Sequence, residues 1–357
     1  MNLAIALHPV GRFSRPWTWA WLTPLILFVA VMAGTAIGET SISMETILKV
    51  LANRLWGAEY AVDRIDAGII WSYRLSRAII AACCGAGLAL AGVVLQALLR
   101  NPLADPFLMG ISAGASTGAV AVTISGIGAG TLTLSLGAFA GAGLAFVLVV
   151  LLAHAASSGT GGGRGTQAAG AIILAGIAGS QLFNALTAFI IAKSASAEQA
   201  RGIMFWLMGN LSGVRWDDVT LGLPAALGGV LICLWQRRAL DAFTFGADSA
   251  ASMGIAVRPV RGILITAMAL VTAIMVSMVG AIGFVGLVIP HAMRFLVGSR
   301  HTRLVPASAL AGAVFLIGSD IASRTLVPGQ VLPIGVVTSL IGAPVFAMIL
   351  VRGTRVR

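Results

Sequence analysis

A chain of 357 residues carries 23 Lys and Arg against 12 Asp and Glu, a formal net charge of +11. Yet 58% of its residues are hydrophobic, only 10% are charged and its mean hydropathy is +0.98, where a soluble globular domain has roughly 25% charged residues. This composition excludes a soluble enzyme and describes an integral membrane protein with no soluble domain to spare.

Ten apolar runs follow, each near the ~20 residues needed to cross about 30 Å of hydrocarbon. They are expected at 19–38, 69–97, 107–126, 132–154, 168–192, 217–236, 259–280, 282–297, 305–324 and 333–351. Arg12 and Arg15 precede the first run, whose length and lack of a small-residue cleavage site mark a retained span rather than a signal peptide. Residues 1–18 therefore read as an inner N-terminal segment of a single transmembrane domain covering 1–357. Segment 39–68 is too polar to span and is expected outside.

Between the second and third runs stands "NPLADPFLMGISAGAS". Pro102 and Pro106 end one helix and start the next, since proline suits a first helical turn but breaks an interior. Many of the 44 glycines fall in the runs, where small residues let helices approach in lipid. "GTGGGRGT", 159–166, lacks the order of a phosphate-binding loop and reads as a flexible inner connection. A second long non-spanning segment, "RRALDAFTFGADSAASMGIAVR" at 237–258, should form short helices broken at Gly246 and Gly254 along the inner face. Loops in compact domains have a median of about 4–6 residues, so one this long is expected to dock something.

With the N-terminus inside, fourteen of the 23 Lys and Arg residues fall on the inner side. That bias places both termini in the cytoplasm and accounts for most of the basic excess, leaving no case for nucleic-acid binding. Ten spans divide into five and five; if the halves share a fold, an odd number sets them in opposite orientations, an arrangement common in transporters. Cys83, Cys84 and Cys233 lie within spans and read as packing residues. His8, His154, His291 and His301 are scattered without metal-like spacing, so neither a metal site nor a cofactor is expected.

The joint quoted above, the loop "LDAFTFGADSAASMGI" and the stretches "GAIGFVGLVIPHAMRFLVG" and "LPIGVVTSLIGAPVF" resemble the permease family of ATP-driven importers for iron-siderophores, haem and cobalamin. The likeness runs from about Trp71 to the C-terminus. It implies an all-α fold of ten spanning helices in two inverted halves, paired with a second copy around a translocation path, in a bacterial inner membrane. It also implies two ATP-binding subunits on the cytoplasmic side and one periplasmic substrate-binding protein outside, so that this chain is itself no enzyme. Leu240 to Gly254 would be the ATPase-coupling element, with Phe245, Gly246, Ala247, Asp248, Ser249, Ala250, Ala251 and Gly254 at its centre. Paired acidic residues often follow the glycine in that family; here Ala247 and Asp248 stand there. Arg74, Arg77 and Arg324 match positions that receive acidic groups of the binding protein, although Ser76 replaces the usual proline between the first two. The alternative for these arginines is interfacial anchoring, with Asp320 and Arg324 spaced to form a local i,i+4 pair.

In "EQARGIMFWLMGNLSGVRW", Arg201 beside Met204, Phe205 and Trp206 suits an anionic, flat, apolar cargo at the outer mouth. Haem, with two propionates, is thereby preferred as the iron compound carried; a ferric siderophore or cobalamin is the alternative. From another class, an ion-coupled secondary transporter would share the many spans, but it would be expected to place ionisable groups at mid-membrane depth. This sequence offers little beyond Asp320, which lies near a helix end.

Overall fold

The computed structural model describes residues 16–126, 131–158 and 166–354. Most of the inner segment 1–18 and of the glycine-rich loop 159–166 therefore lies outside the described residues. In chain order the helices are α1 (Pro16–Ala36), α2 (Met44–Trp56), α3 (Arg64–Gly68), α4 (Ser76–Leu99), α5 (Ile111–Ser125), α6 (Thr131–Ser158), α7 (Thr166–Ser194) and α8 (Ala197–Leu207). There follow α9 (Trp216–Trp235), α10 (Arg237–Phe243), α11 (Ala247–Ser252), α12 (Val257–Val279), α13 (Val285–Val297), α14 (His301–Thr325) and α15 (Ile334–Thr354). The described residues contain no strand.

Among the described residues, six helical stretches are long and apolar enough to cross a membrane, and four shorter apolar helices, Leu22–Ala36, Ile111–Ser125, Val285–Val297 and Ile334–Met348, occupy the other expected positions. The eighth span is shorter than its apolar run because residues 280–284 leave the helical ladder. Phe284 there adopts φ 69°, a left-handed conformation rare for a bulky residue. Segment 39–68 is also more ordered than a plain connection. Ser43 caps α2, Gly57 ends it in the left-handed region, and Ile47, Val50 and Leu51 pack with Ile70 and Leu75.

At the centre stands α4, continuous with α3 through a π-helical stretch at Ile69–Leu75. It packs against α14, α9, α12 and α13. Glycine makes the closest of these crossings possible. A Cβ on Gly85 would lie 2.0 Å from the Gly312 carbonyl oxygen, and one on Gly312 would lie 2.2 Å from that of Gly85. Backbones in such contact gain dispersion and weak C–H···O bonding where lipid supplies no hydrophobic drive. Lower down, the buried Gln96 amide donates to the carbonyls of Gly286 (3.2 Å), Leu287 (3.3 Å) and Ala104 (3.4 Å), and its oxygen accepts from Arg294. One side chain thus ties α4 to the proline joint and to α13, with its polar atoms satisfied as burial requires. Cys83, Cys84 and Cys233 are free and buried, in keeping with a packing role.

Candidate functional site: two faces and a polar cavity

On the face that carries residues 237–258, α10 and α11 form a bent pair. Gly246, at φ 109°, makes the turn between them, a conformation that any Cβ would strain. Beneath the pair, Leu240, Phe243 and Ala250 are fully buried in the main core. Asp241 accepts from the His301 backbone N–H at 2.8 Å and lies 2.7 Å from the His301 ring Nδ1, which caps α14 and fastens the pair to it. Arg100, at the end of α4, lies against Gly246. Outward the pair shows Phe245, 71% exposed, and Met253, 56% exposed, with Asp248, Ala251 and Gly254 also exposed. Of the other expected coupling residues, Ala247 and Ser249 are half-buried, while Gly246 and Ala250 face inward. The pair thus presents an apolar knob rimmed by polar groups and anchored from below.

At the opposite end, the three expected docking arginines are sequestered: Arg74 is 2% exposed, Arg77 1% and Arg324 4%. Arg77 Nε donates to Asp320 Oδ1 at 2.7 Å and Arg324 Nη2 to Asp320 Oδ2 at 2.8 Å. The local pair read from spacing therefore exists, but as half of a buried triad that also joins Tyr73 and Ser212 through Arg77 Nη1. Arg74 donates to the carbonyls of Ala36 at 3.1 Å and Thr40 at 2.5 Å, and Arg324 to that of Gly34 at 3.2 Å. The physical reason is the C-terminus of α1, whose last carbonyls lack helical partners and attract cations. The alternative of anchors reaching for the lipid interface does not describe these side chains. The arginines exposed toward this end are Arg54, Arg64, Arg201 and Arg215.

Between α5 and α7 lies an open cavity of about 560 Å³, lined among others by Ser112, Ser116, Ser180, Asn184 and Thr187, with Phe107, Leu207 and Ala281 also in its wall. A second of about 310 Å³ shares Ser180 and Asn184 and adds Gln181 and Asp105. Thr117 joins the two helices beside it: its hydroxyl bonds the Phe183 carbonyl and Thr187, both at 2.8 Å. By contrast, the side chains of Ser112, Ser180, Gln181 and Asn184 make no hydrogen bond to any described residue. Unpaired polar groups at membrane depth are costly unless they face water or a ligand. Asp105, in the joint outside the spans, accepts from the Phe107 N–H at 2.8 Å, and burial pushes its carboxyl up to about 6.

Sequence reasoning missed this wall, because serine and asparagine in an apolar helix give no periodic signal of their own. It chose Arg201, Met204, Phe205 and Trp206 instead. Arg201 and Met204 are exposed on α8 and Phe205 and Trp206 half-buried, Trp206 packing on the second core cluster. None of the four lines either cavity, although Leu207 at the end of the same helix does. The chain just beyond is stitched by main-chain bonds, Asn210 N–H to Val279, Ile334 N–H to Gly209 and Gly335 N–H to Met208. Non-helical backbone survives at membrane depth only when satisfied in this way.

The profile of the FecCD transport family matches residues 26–352. The chain belongs to that family. YvrB of Bacillus subtilis, an uncharacterised ABC transporter permease, is 38% identical, with 92% of each chain covered. BtuC of Halobacterium salinarum, the permease of a cobalamin import system, is 33% identical over 94% of this chain and 96% of its own. A solved structure, an inward-facing conformation of a transporter assigned to the metal-chelate ABC type, superimposes with a TM-score of 0.79 at 29% identity, covering 94% of this chain and 99% of that one. The FecCD chain described here is accordingly a multi-pass ABC importer permease, and the secondary-transporter alternative falls away.

Proposed function

We propose that this permease pairs with a second copy of itself in a bacterial inner membrane, both termini cytoplasmic, and passes a metal chelate from a periplasmic binding protein inward. Two separate ATP-binding subunits hydrolyse ATP and engage α10–α11. The observation that carries this reading is that pair of helices: buried apolar residues fix it from beneath, and Phe245 and Met253 stand out above with Asp248 beside them. A passive connector has no reason to display Phe245 and Met253 away from its own core while burying Phe243 within it.

On the outer side, Arg77 and Arg324 share the buried Asp320 carboxylate, Arg74 is held by main-chain carbonyls, and four further arginines are exposed. Acidic groups of a binding protein would pair with these arginines one by one, since residues such as Glu39, Glu45, Glu59, Asp63 and Asp66 balance the basic charge of this end. Direct ion pairs with Arg74, Arg77 or Arg324 require those side chains to turn out from their present partners. For the cargo, haem would draw on Arg201, free on the surface of α8, while the name of the Halobacterium salinarum relative points to cobalamin. The deciding experiment replaces residues 240–254 with a short flexible linker in cells that also make the cognate ATPase. Loss of ATPase co-purification and of ATP-driven uptake, with the spans still inserted, is expected; unchanged uptake would reject the assignment of the loop.

A further inference from the structure

The wall of the larger cavity carries hydroxyls and one carboxamide, and no lysine, arginine, aspartate or glutamate. Gln181 adds a second carboxamide in the smaller cavity, where the one ionisable side chain is Asp105. An acid there has the wrong sign for a cargo bearing carboxylates. Nor can the buried arginines serve such a cargo, since Asp320 and the end of α1 already occupy them. Arg201 lies outside both linings. A chelate with two ionised carboxylates would thus give up water for a stretch without a single counter-charge, lined by hydroxyl and carboxamide dipoles alone.

An uncharged chelate fringed with amides meets the opposite situation. Carboxamides both donate and accept, and a hydroxyl does either, so Ser112, Ser180, Gln181 and Asn184 can exchange their water bonds for cargo bonds at little net cost. Their freedom from intramolecular partners is what such an exchange needs. Resting on the importer reading above, we infer that the pathway selects uncharged, amide-bearing metal chelates over dicarboxylate porphyrins, and that Asn184 and Gln181 are its specificity-determining residues. On this inference haem, preferred on Arg201 alone, ranks behind the uncharged chelates.

The test uses the full complex, permease with its ATPase and binding protein, in liposomes supplied with ATP. Three probes are offered separately: cyanocobalamin, a neutral ferric trihydroxamate and haemin. Wild type should move at least one of the two uncharged chelates and leave haemin behind. Replacing Asn184 and Gln181 together by Leu should slow that uptake roughly tenfold, the effect of losing one or two hydrogen bonds, while ATP hydrolysis and assembly stay unchanged. Asn184→Gln, which keeps a carboxamide, should retain transport and so guards against a folding artefact. Haemin uptake at the rate of the uncharged chelates, or full uptake by the double Leu variant, would overturn the inference and leave the importer standing. An assembled, ATP-hydrolysing complex that moves none of the three would overturn the metal-chelate cargo and this inference with it, while the family assignment stands on the sequence match.

Discussion

Arg77 and Asp320 lie 243 residues apart in the chain, yet their side chains meet at 2.7 Å in the interior, with Arg324 on the carboxylate's other oxygen. Asp320→Asn would leave two buried guanidiniums without a full counter-charge. Breaking such a cluster from one side costs about 3–5 kcal/mol. Thermal unfolding of the detergent-solubilised variant should show a large drop in midpoint, much larger than for Glu45→Gln, which removes only the exposed Glu45–Lys49 pair. Equal midpoints for the two variants would mean that the triad contributes no more than a surface ion pair.

The exposed knob on α10–α11 makes its own prediction. Phe245→Ser should weaken ATPase binding by about 2 kcal/mol, roughly thirtyfold, as expected for a buried aromatic anchor at an interface centre. Leu240 sits in the core below, so Phe245→Ser is the cleaner probe, leaving the fold of the permease intact. Co-purification ratios at matched expression measure it, and an unchanged ratio would remove Phe245 from the contact.

Asp105 supplies a dependence on pH. Its carboxyl is raised from 3.8 to about 6 by burial, so between those values the folded chain holds a proton that the unfolded chain has released. The stability contributed by this group therefore falls as pH rises through that window. Asn at this position keeps the cap on the Phe107 N–H and has no proton to lose. Relative to wild type, Asp105→Asn should unfold at a similar temperature at pH 4 and at a higher one at pH 8. A difference that shrinks with rising pH would contradict the burial argument.

The crossing of α4 and α14 tests packing alone. Gly312→Val places branched carbons where a first Cβ already stands 2.2 Å from the Gly85 carbonyl oxygen, and overpacking of this kind costs about 1–3 kcal/mol. Gly318→Val on the same helix has open space around it and should cost far less. Comparison of unfolding midpoints for the two substitutions checks the geometry without reference to transport.

Spans and inner loop were legible because hydropathy over ~20 residues and turn residues such as Gly246 are local properties. The sequence also carried the Asp320–Arg324 pair, since four residues make one helical turn. Arg77 could not be placed on the same carboxylate by any local rule, and three arginines near apolar runs looked like surface groups for that reason. The neutral wall was hidden for a related cause. Ser112, Ser180 and Asn184 acquire meaning only when α5 and α7 are set side by side and their own hydrogen bonds are counted.

The second span has its principal neighbours, α9, α12, α13 and α14, late in the chain. At synthesis rates of about 5–20 residues per second, the 243 residues between Arg77 and Asp320 take roughly 10–50 seconds to emerge. Throughout that interval α4 must reside in the bilayer with its glycine notches empty and Arg77 without its counter-ion. Biogenesis of this permease thus has a waiting stage, in which lipid headgroups, water or an insertion factor shield a charge that the finished protein neutralises by itself. Defects in the last third of the chain would then surface as degradation of a molecule whose first spans were made correctly.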